Sequence, residues 1–227
     1  IDEFWLVKQS KLKTMQNLII LMTIVLASIL TMLNGQSKYE IEMQKAMTEF
    51  GAAESSDDLE KVAQHFDRIA KVESRNWLPL YYAMFIRTLN AFSQNKAQAI
   101  KTVDEIDAKY VELDAISPEN SEILTLRGLY RTVKVAKDPG TYAMSLSGAI
   151  IKDYDDALNL NPKNARALYL LAQYNMGAAE FWGTDPKEHC PQIEQAKALL
   201  VAESDETFEP HWGEKQVDEI LNTTCEK

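Results

Sequence analysis

Glycine, proline, histidine and cysteine are all scarce in this sequence, and each scarcity excludes something. The 227 residues include only 8 Gly and 7 Pro, too few for a collagen-like or low-complexity chain. No stretch alternates apolar and polar residues between hairpin turns, so no sheet is expected. No Lys/Arg-rich cluster interrupts the net charge of −10, which argues against a nucleic-acid partner. The three histidines, His65, His189 and His211, leave little for acid–base or metal chemistry. A phosphate-cradling glycine loop, G-x-S-x-G and H-E-x-x-H are all missing. What remains, 46% hydrophobic and 26% charged, suits a helical globular protein with one domain of good core size.

The first 35 residues stand apart. Lys8, Lys11 and Lys13 precede the apolar run Leu18 to Leu33, and small Gly35 follows within Asn34-Gly35-Gln36-Ser37. A basic region, an apolar core and a small residue read as a secretory signal. The alternative is an uncleaved anchor, although the run is shorter than the roughly 20 residues that span a bilayer. The membrane enters this reading only through residues 15–35, if they stay attached. Export places Cys190 and Cys225 in an oxidising compartment, where an even count predicts a disulfide. A metal site built from Cys190, Cys225, His189 and His211 lacks ligand spacing and would lose its thiolates to oxidation. No metal or other cofactor is expected.

From Ser37 onward the chain reads as helix after helix. Leu59, Val62, Phe66, Ile69 and Val72 share one helical face, as do Ile100, Val103, Ile106, Tyr110, Leu113 and Ile116. Asp57 and Glu60 form a capping-box-like start signal. Displaced by 44 residues, the sequence overlays itself. Val62, Ile106 and Ile150 coincide, as do Phe66, Tyr110 and Tyr154, then Val72, Ile116 and Leu160. Leu80, Leu124 and Leu168 follow, then Tyr82, Leu126 and Leu170, then Ile86, Tyr130 and Tyr174. Asn76, Asn120 and Asn164 fall together at the break, placed to cap the next helix. Pro118 and Pro162 stop the helix before it. A faint fourth copy puts Phe208 and Trp212 at the Asn and Leu places. A fixed period in this range predicts stacked helix pairs, each burying its neighbour's apolar face. The fold class is therefore all-α, with units at about 55–92, 97–136, 142–181 and 190–222 inside a domain spanning 36–227.

The junction from Tyr154 to Tyr174 resembles the tetratricopeptide repeat. Tyr154, Ala157, Leu158 and Pro162 close one unit; Ala165, Leu168, Leu171 and Ala172 open the next. Tyr110, Pro118, Leu124 and Gly128 repeat the pattern. Leu124 and Leu168 stand where that family usually has Trp, and Tyr130 and Tyr174 are displaced by one. The resemblance covers roughly residues 55–204 and implies a right-handed superhelix of antiparallel helix pairs. The period exceeds the family's 34, so the added residues lie in turns, such as those around Pro139 and Pro186, or in longer helices. The segments Phe66–Phe85 and Pro210–Leu221 also resemble exported tetratricopeptide proteins of Bacteroidetes-type bacteria, which implies a periplasmic or cell-surface protein.

Candidate chemistry is thin. His65 reads as a partly exposed surface residue. His189 beside Cys190 suggests a nucleophile pair, but chain neighbours rarely reach nucleophile–base geometry, and a disulfide blocks it. The runs Asp153-Tyr154-Asp155-Asp156 and Asp104-Glu105-Ile106-Asp107 lie in predicted helices and read as solvated faces, not calcium loops. The best-supported surface is the helix face that opens each unit. It carries Trp77, Tyr81, Tyr82, Phe85, Tyr130 and Tyr174 with Arg87, Arg127, Arg131 and Arg166. In tetratricopeptide arrays such helices line a concave groove for peptides, and Arg and Tyr are common anchors of binding surfaces. Adjacent Tyr81 and Tyr82 cannot both face inward on one amphipathic helix, so one is expected in the groove. The expected function is an exported, non-enzymatic interaction module for a protein or peptide. The alternatives are a thiol or metal hydrolase using His189, Cys190 and His211, and a structural subunit whose groove its own C-terminal segment fills.

Overall fold

The computed structural model describes residues 37–203 and 208–226; the expected leader lies outside the described residues. Contacts divide the chain between Ile41 and Glu42, within the first helix among the described residues, α1 (Lys38–Gly51). In the first unit, Ser37 and Glu40 start that helix as a reciprocal capping box. The Glu40 amide donates to Ser37 Oγ at 3.2 Å, and the Ser37 amide donates to Glu40 Oε2 at 2.7 Å.

The second unit continues with α2 (Ser56–Val72), α3 (Trp77–Ser93), α4 (Lys96–Ile116), α5 (Ser121–Lys137), α6 (Pro139–Leu160) and α7 (Ala165–Trp182). A short 3-10 turn (Pro186–His189), α8 (Cys190–Val201) and α9 (Glu214–Ile220) follow, and a π-helical turn (Leu221–Cys225) ends the described chain. No strand occurs among the described residues. The helix predicted to start at Asp57 starts earlier. Ser55 is its N-cap, accepting from the Asp58 amide at 3.1 Å. Ser55 wins because its short hydroxyl folds back on the first turn while Asp57 and Asp58 favour the helix dipole from inside it.

Each aligned asparagine caps a helix. Asn76 accepts from the Leu78 amide, Asn120 from Glu122 and Ile123, and Asn164 from Ala167. Asn164 does more. Fully buried, it also donates from Nδ2 to Ser121 Oγ (2.8 Å) and Thr125 Oγ1 (3.2 Å), tying α7 to α5. Two of the aligned apolar columns share burial: Val62, Ile106 and Ile150, and Tyr82, Leu126 and Leu170; Tyr110, Leu124, Leu168 and Tyr174 are only partly buried. Val72 and Leu160, the last residues of their helices, are exposed. The expectation that Val72 completes the buried stripe of α2 fails because the chain turns away there.

The long period resides in the helices. α4 and α6 run to 21 and 22 residues, against 17 in α2, α3 and α5. The segment around Pro139 is no extended turn: Asp138 is both the C-cap of α5 and the N-cap of α6, with Pro139 at the first helical position. Around Gly183 the chain does turn, through a left-handed C-cap at φ 73°. At Gly128 a Cβ would meet the Tyr154 ring at 2.6 Å, so α5 and α6 approach closely only because no side chain intervenes.

The fourth copy departs from the others. Phe208 and Trp212 start no helix; α9 begins only at Glu214, after Gly213. Residues 208–213 instead run over the row formed by α3, α5 and α7, in which α5 packs on both its neighbours. Asn164→Ala should cost about 2–3 kcal/mol, for a cap plus the two hydrogen bonds its amide donates to Ser121 and Thr125. Asn76→Ala should cost about 1 kcal/mol, for a cap alone. Urea unfolding of both variants reads the difference.

Candidate functional site on the face of α3, α5 and α7

The sequence Trp77-Leu78-Pro79-Leu80-Tyr81-Tyr82-Ala83-Met84-Phe85-Ile86 leaves α3 no polar side. Every residue from Leu78 to Ile86 is buried, as befits a helix apolar all round. Tyr81 is 0% exposed and Tyr82 4%. The expectation that one of them faces an open groove is therefore corrected. Tyr82 stacks on Phe66 of α2, ring centroids 5.3 Å apart. Tyr81 stacks on Phe85 one turn along at 6.1 Å. Both hydroxyls reach the chain's own C-terminal segment.

That segment is held by an aromatic cluster. The Trp212 indole stacks on Phe85, with centroids 4.4 Å apart and planes at 24°. Its Nε1 donates to Tyr81 Oη at 3.0 Å. Tyr169 of α7 meets it edge-on at 6.2 Å. The Tyr82 hydroxyl donates to the carbonyls of Phe208 (3.1 Å) and Glu209 (3.2 Å). Gly213, at φ 115°, lies so close to Tyr169 that a Cβ would sit 2.7 Å from its ring. Only glycine satisfies both demands. Burial raises the Tyr81 phenol well above its ordinary value and pushes Tyr169 up likewise, so both stay neutral hydroxyl groups. Phe208, Trp212, Gly213 and Tyr169 are the residues that sequence reasoning did not place here. The available signal was an aromatic followed by Gly in an otherwise polar stretch.

Arg166 borders the cluster. Its guanidinium, 6% exposed, is held by Glu122 of α5 at 2.9 Å and Glu203 at 2.7 Å, and lies 6.0 Å from the Trp212 ring. Burial alone would lower Arg166, but the two carboxylates hold it above its ordinary value. Burial also pushes Glu122 above the usual carboxylate range, against the pull of Arg166. His211 Nδ1 lies 3.6 Å from Glu203. The other expected arginine anchors are likewise matched. Arg87 bonds Glu60 and Asp67; Arg127 (2.8 Å) and Arg131 (2.6 Å) share Asp153. Against the upward push of burial, Arg87 and Lys109 hold Asp67 below its ordinary value. Tyr130 donates to Asp107 at 2.6 Å and Tyr174 to Ser147 at 2.7 Å. Trp77 packs edge-on against Tyr81. The structure thus brings Tyr81, Tyr82, Phe85 and Arg166 to the C-terminal segment, while Trp77 packs on Tyr81 and Arg87, Arg127, Arg131, Tyr130 and Tyr174 serve contacts between helices.

Two further expectations change, and one is met. His65 is buried, its Nδ1 2.7 Å from Glu49 and its Nε2 3.1 Å from Glu42, so it bridges α1 to α2 and is no surface residue. Asp153 is 2% exposed between two arginines, not on a solvated face. Burial raises it above its ordinary value despite Arg127 and Arg131. Cys190 and Cys225 form the expected disulfide, Cα atoms 5.7 Å apart, which removes the thiol from any pairing with His189. Among the described residues, no three His, Cys, Asp or Glu side chains are grouped to hold a metal ion, and no helix is long and apolar enough to cross a membrane.

No protein-family model matches the chain, and no curated protein matches it. Among solved structures it is similar to the HusA haemophore from Porphyromonas gingivalis. The likeness has a TM-score of 0.72 at 26% identity and covers 83% of this chain and 94% of that one. The expected resemblance to helical proteins of Bacteroidetes-type bacteria is met at this level.

The disulfide anchors the chain beyond α9 to the start of α8 across 35 residues. Cys225→Ser should lower stability by about 3–4 kcal/mol through regained chain entropy in the unfolded state. Urea unfolding with and without reductant checks this, and the variant should lose its sensitivity to reductant.

Proposed function

We propose that this chain is an exported, non-enzymatic binding protein of haemophore type, whose ligand is haem or a related planar tetrapyrrole. The single observation that carries the reading is the likeness to a haemophore over nearly that protein's whole length. The disulfide is in keeping with an oxidising compartment outside the cytoplasm, and periplasmic or cell-surface location is part of the proposal. So is a tetratricopeptide-like superhelix built from the pairs α2–α3, α4–α5 and α6–α7.

The residues present suit the ligand's flat apolar body. Tyr81, Phe85 and Tyr169 make an aromatic bed, and rings of this kind stack favourably on planar partners. Histidine ligation of the iron plays no part in the proposal: His65 is engaged by two carboxylates and His211 faces Glu203. Titration of the chain with haem, followed in the Soret band, should give a saturable change at one equivalent. A change that rises without saturation, as for haem sticking to any protein, would overturn the proposal.

A second reading is favoured by one specific observation: residues 208–213 lie on the α3–α5–α7 face as an irregular peptide, caught by Tyr82 through its carbonyls and by Tyr81 through Trp212. The same face then accepts a partner protein's segment of similar chemistry, as in the groove-binding function read from the sequence. A partner captured from the envelope fraction should be released by a Phe-Glu-Pro-His-Trp-Gly peptide. Retention at excess peptide would count against this reading.

A further inference from the structure

Trp212 occupies its place in a particular way. The bed beneath it is fully interior: Tyr81 is 0% exposed, Phe85 2% and Tyr169 2%. The indole itself is only partly buried, with one face on Phe85, its N–H on Tyr81 and Tyr169 meeting it edge-on. Its segment belongs to no helix or strand from Phe208 to Gly213. Phe208 takes φ 71°, in the left-handed region that a bulky side chain rarely adopts. Gly213 takes φ 115° where the segment enters α9.

The two flanks of the segment are tied down independently of the indole. On one side Glu203 is bound to Arg166. On the other, Lys197 of α8 pairs with Glu214 (2.8 Å) and Asp218 (2.9 Å) of α9, Val217 and Ile220 are buried, and Cys225 is bonded to Cys190. The indole can therefore leave its bed while the helices around it stay in place.

We infer that the bed of Tyr81, Phe85 and Tyr169 is the binding site for the flat aromatic face of the ligand, and that Trp212 is a built-in stand-in which the ligand displaces. This rests on the reading of the chain as a tetrapyrrole binder. The site's chemistry is specific. It offers a stacking surface on Phe85, an edge contact from Tyr169 and a hydroxyl acceptor, Tyr81 Oη, now used by the indole N–H. Its charge is not positive, because Arg166 is outnumbered by Glu122 and Glu203. An anionic edge is disfavoured there, so the carboxylates of a bound tetrapyrrole point outward to solvent.

A stand-in that closes the site in nine of ten molecules weakens apparent affinity by about tenfold. Haem titrations of the chain, Trp212→Ala and Trp212→Phe therefore discriminate. The expected result is binding about tenfold tighter for Trp212→Ala, with Trp212→Phe in between. Amide hydrogen exchange supplies a readout that needs no variant: saturating the unaltered chain with haem should speed exchange at residues 208–213 and leave α9 protected. Haem binding with equal or weaker affinity in Trp212→Ala would overturn the site while leaving the tetrapyrrole reading intact. If that variant does not fold, unchanged exchange at 208–213 on haem binding has the same force. Failure of the unaltered chain and both variants to bind haem would overturn site and reading together.

Discussion

The constraint on which this fold depends is that α3 has no side fit for water. Nine consecutive residues, Leu78 to Ile86, are buried, and a helix of that composition must be surrounded. α2 covers it through Phe66 against Tyr82, and α4 and α5 pack on it from the C-terminal direction. Phe50 of α1 meets Phe85 edge-on at 6.3 Å. One side remains, and the C-terminal segment closes it from more than a hundred residues away, through Trp212. An array of helix pairs grows by nearest-neighbour contacts, but this contact runs between distant parts of the array and makes its first pair and its last part share one core.

The second organising element is how an acidic chain uses its arginines. With a net charge of −10, unpaired carboxylates are abundant, and each arginine on the helices that open a unit finds a pair of acceptors or a shared one. Arg87 links α3 to α2, Arg127 and Arg131 link α5 to α6, and Arg166 links α7 to α5 and to Glu203. These positions looked like a ligand surface because Arg and Tyr favour binding faces. Partly buried, they are cross-links between helices. Removing one partner of such a pair leaves a desolvated charge, which is costlier than the pair is stabilising.

Much of the fold was legible because periodicity and caps are local. The 44-residue register placed Asn76, Asn120 and Asn164 at helix starts and identified two columns buried in each copy: Val62, Ile106 and Ile150, and Tyr82, Leu126 and Leu170. The disulfide followed from an even cysteine count together with a leader-like N-terminus. The site was less legible, for reasons specific to its residues. Tyr81 and Tyr82 were weighed as if α3 were amphipathic, although the ten apolar residues from Trp77 already showed a helix with no exposed side. Asp153 looked solvated because its partners lie on another helix, and His65 because Glu42 and Glu49 lie on α1. Trp212 was aligned to a helical position by register alone. That the C-terminal segment fills this face was only one of the alternatives read from the sequence, because which of its residues do so is decided by the distant rings of Phe85 and Tyr169.

The placement of the covalent tie bears on what the C-terminal segment is for. A segment needed only as core filler is best fixed at the point of contact. Here the disulfide joins α8 to the turn after α9, so it secures the frame on which the segment is mounted and leaves Phe208 to Trp212 to non-covalent contacts. Among the described residues those contacts include a stacked ring on Phe85, an edge contact from Tyr169, the indole hydrogen bond to Tyr81 and two carbonyls on the Tyr82 hydroxyl. Each is a kind of contact that a planar ligand or another peptide can reproduce. A frame that is locked and an occupant that is replaceable are the two features a binding protein needs if its site is to stay covered until the ligand arrives.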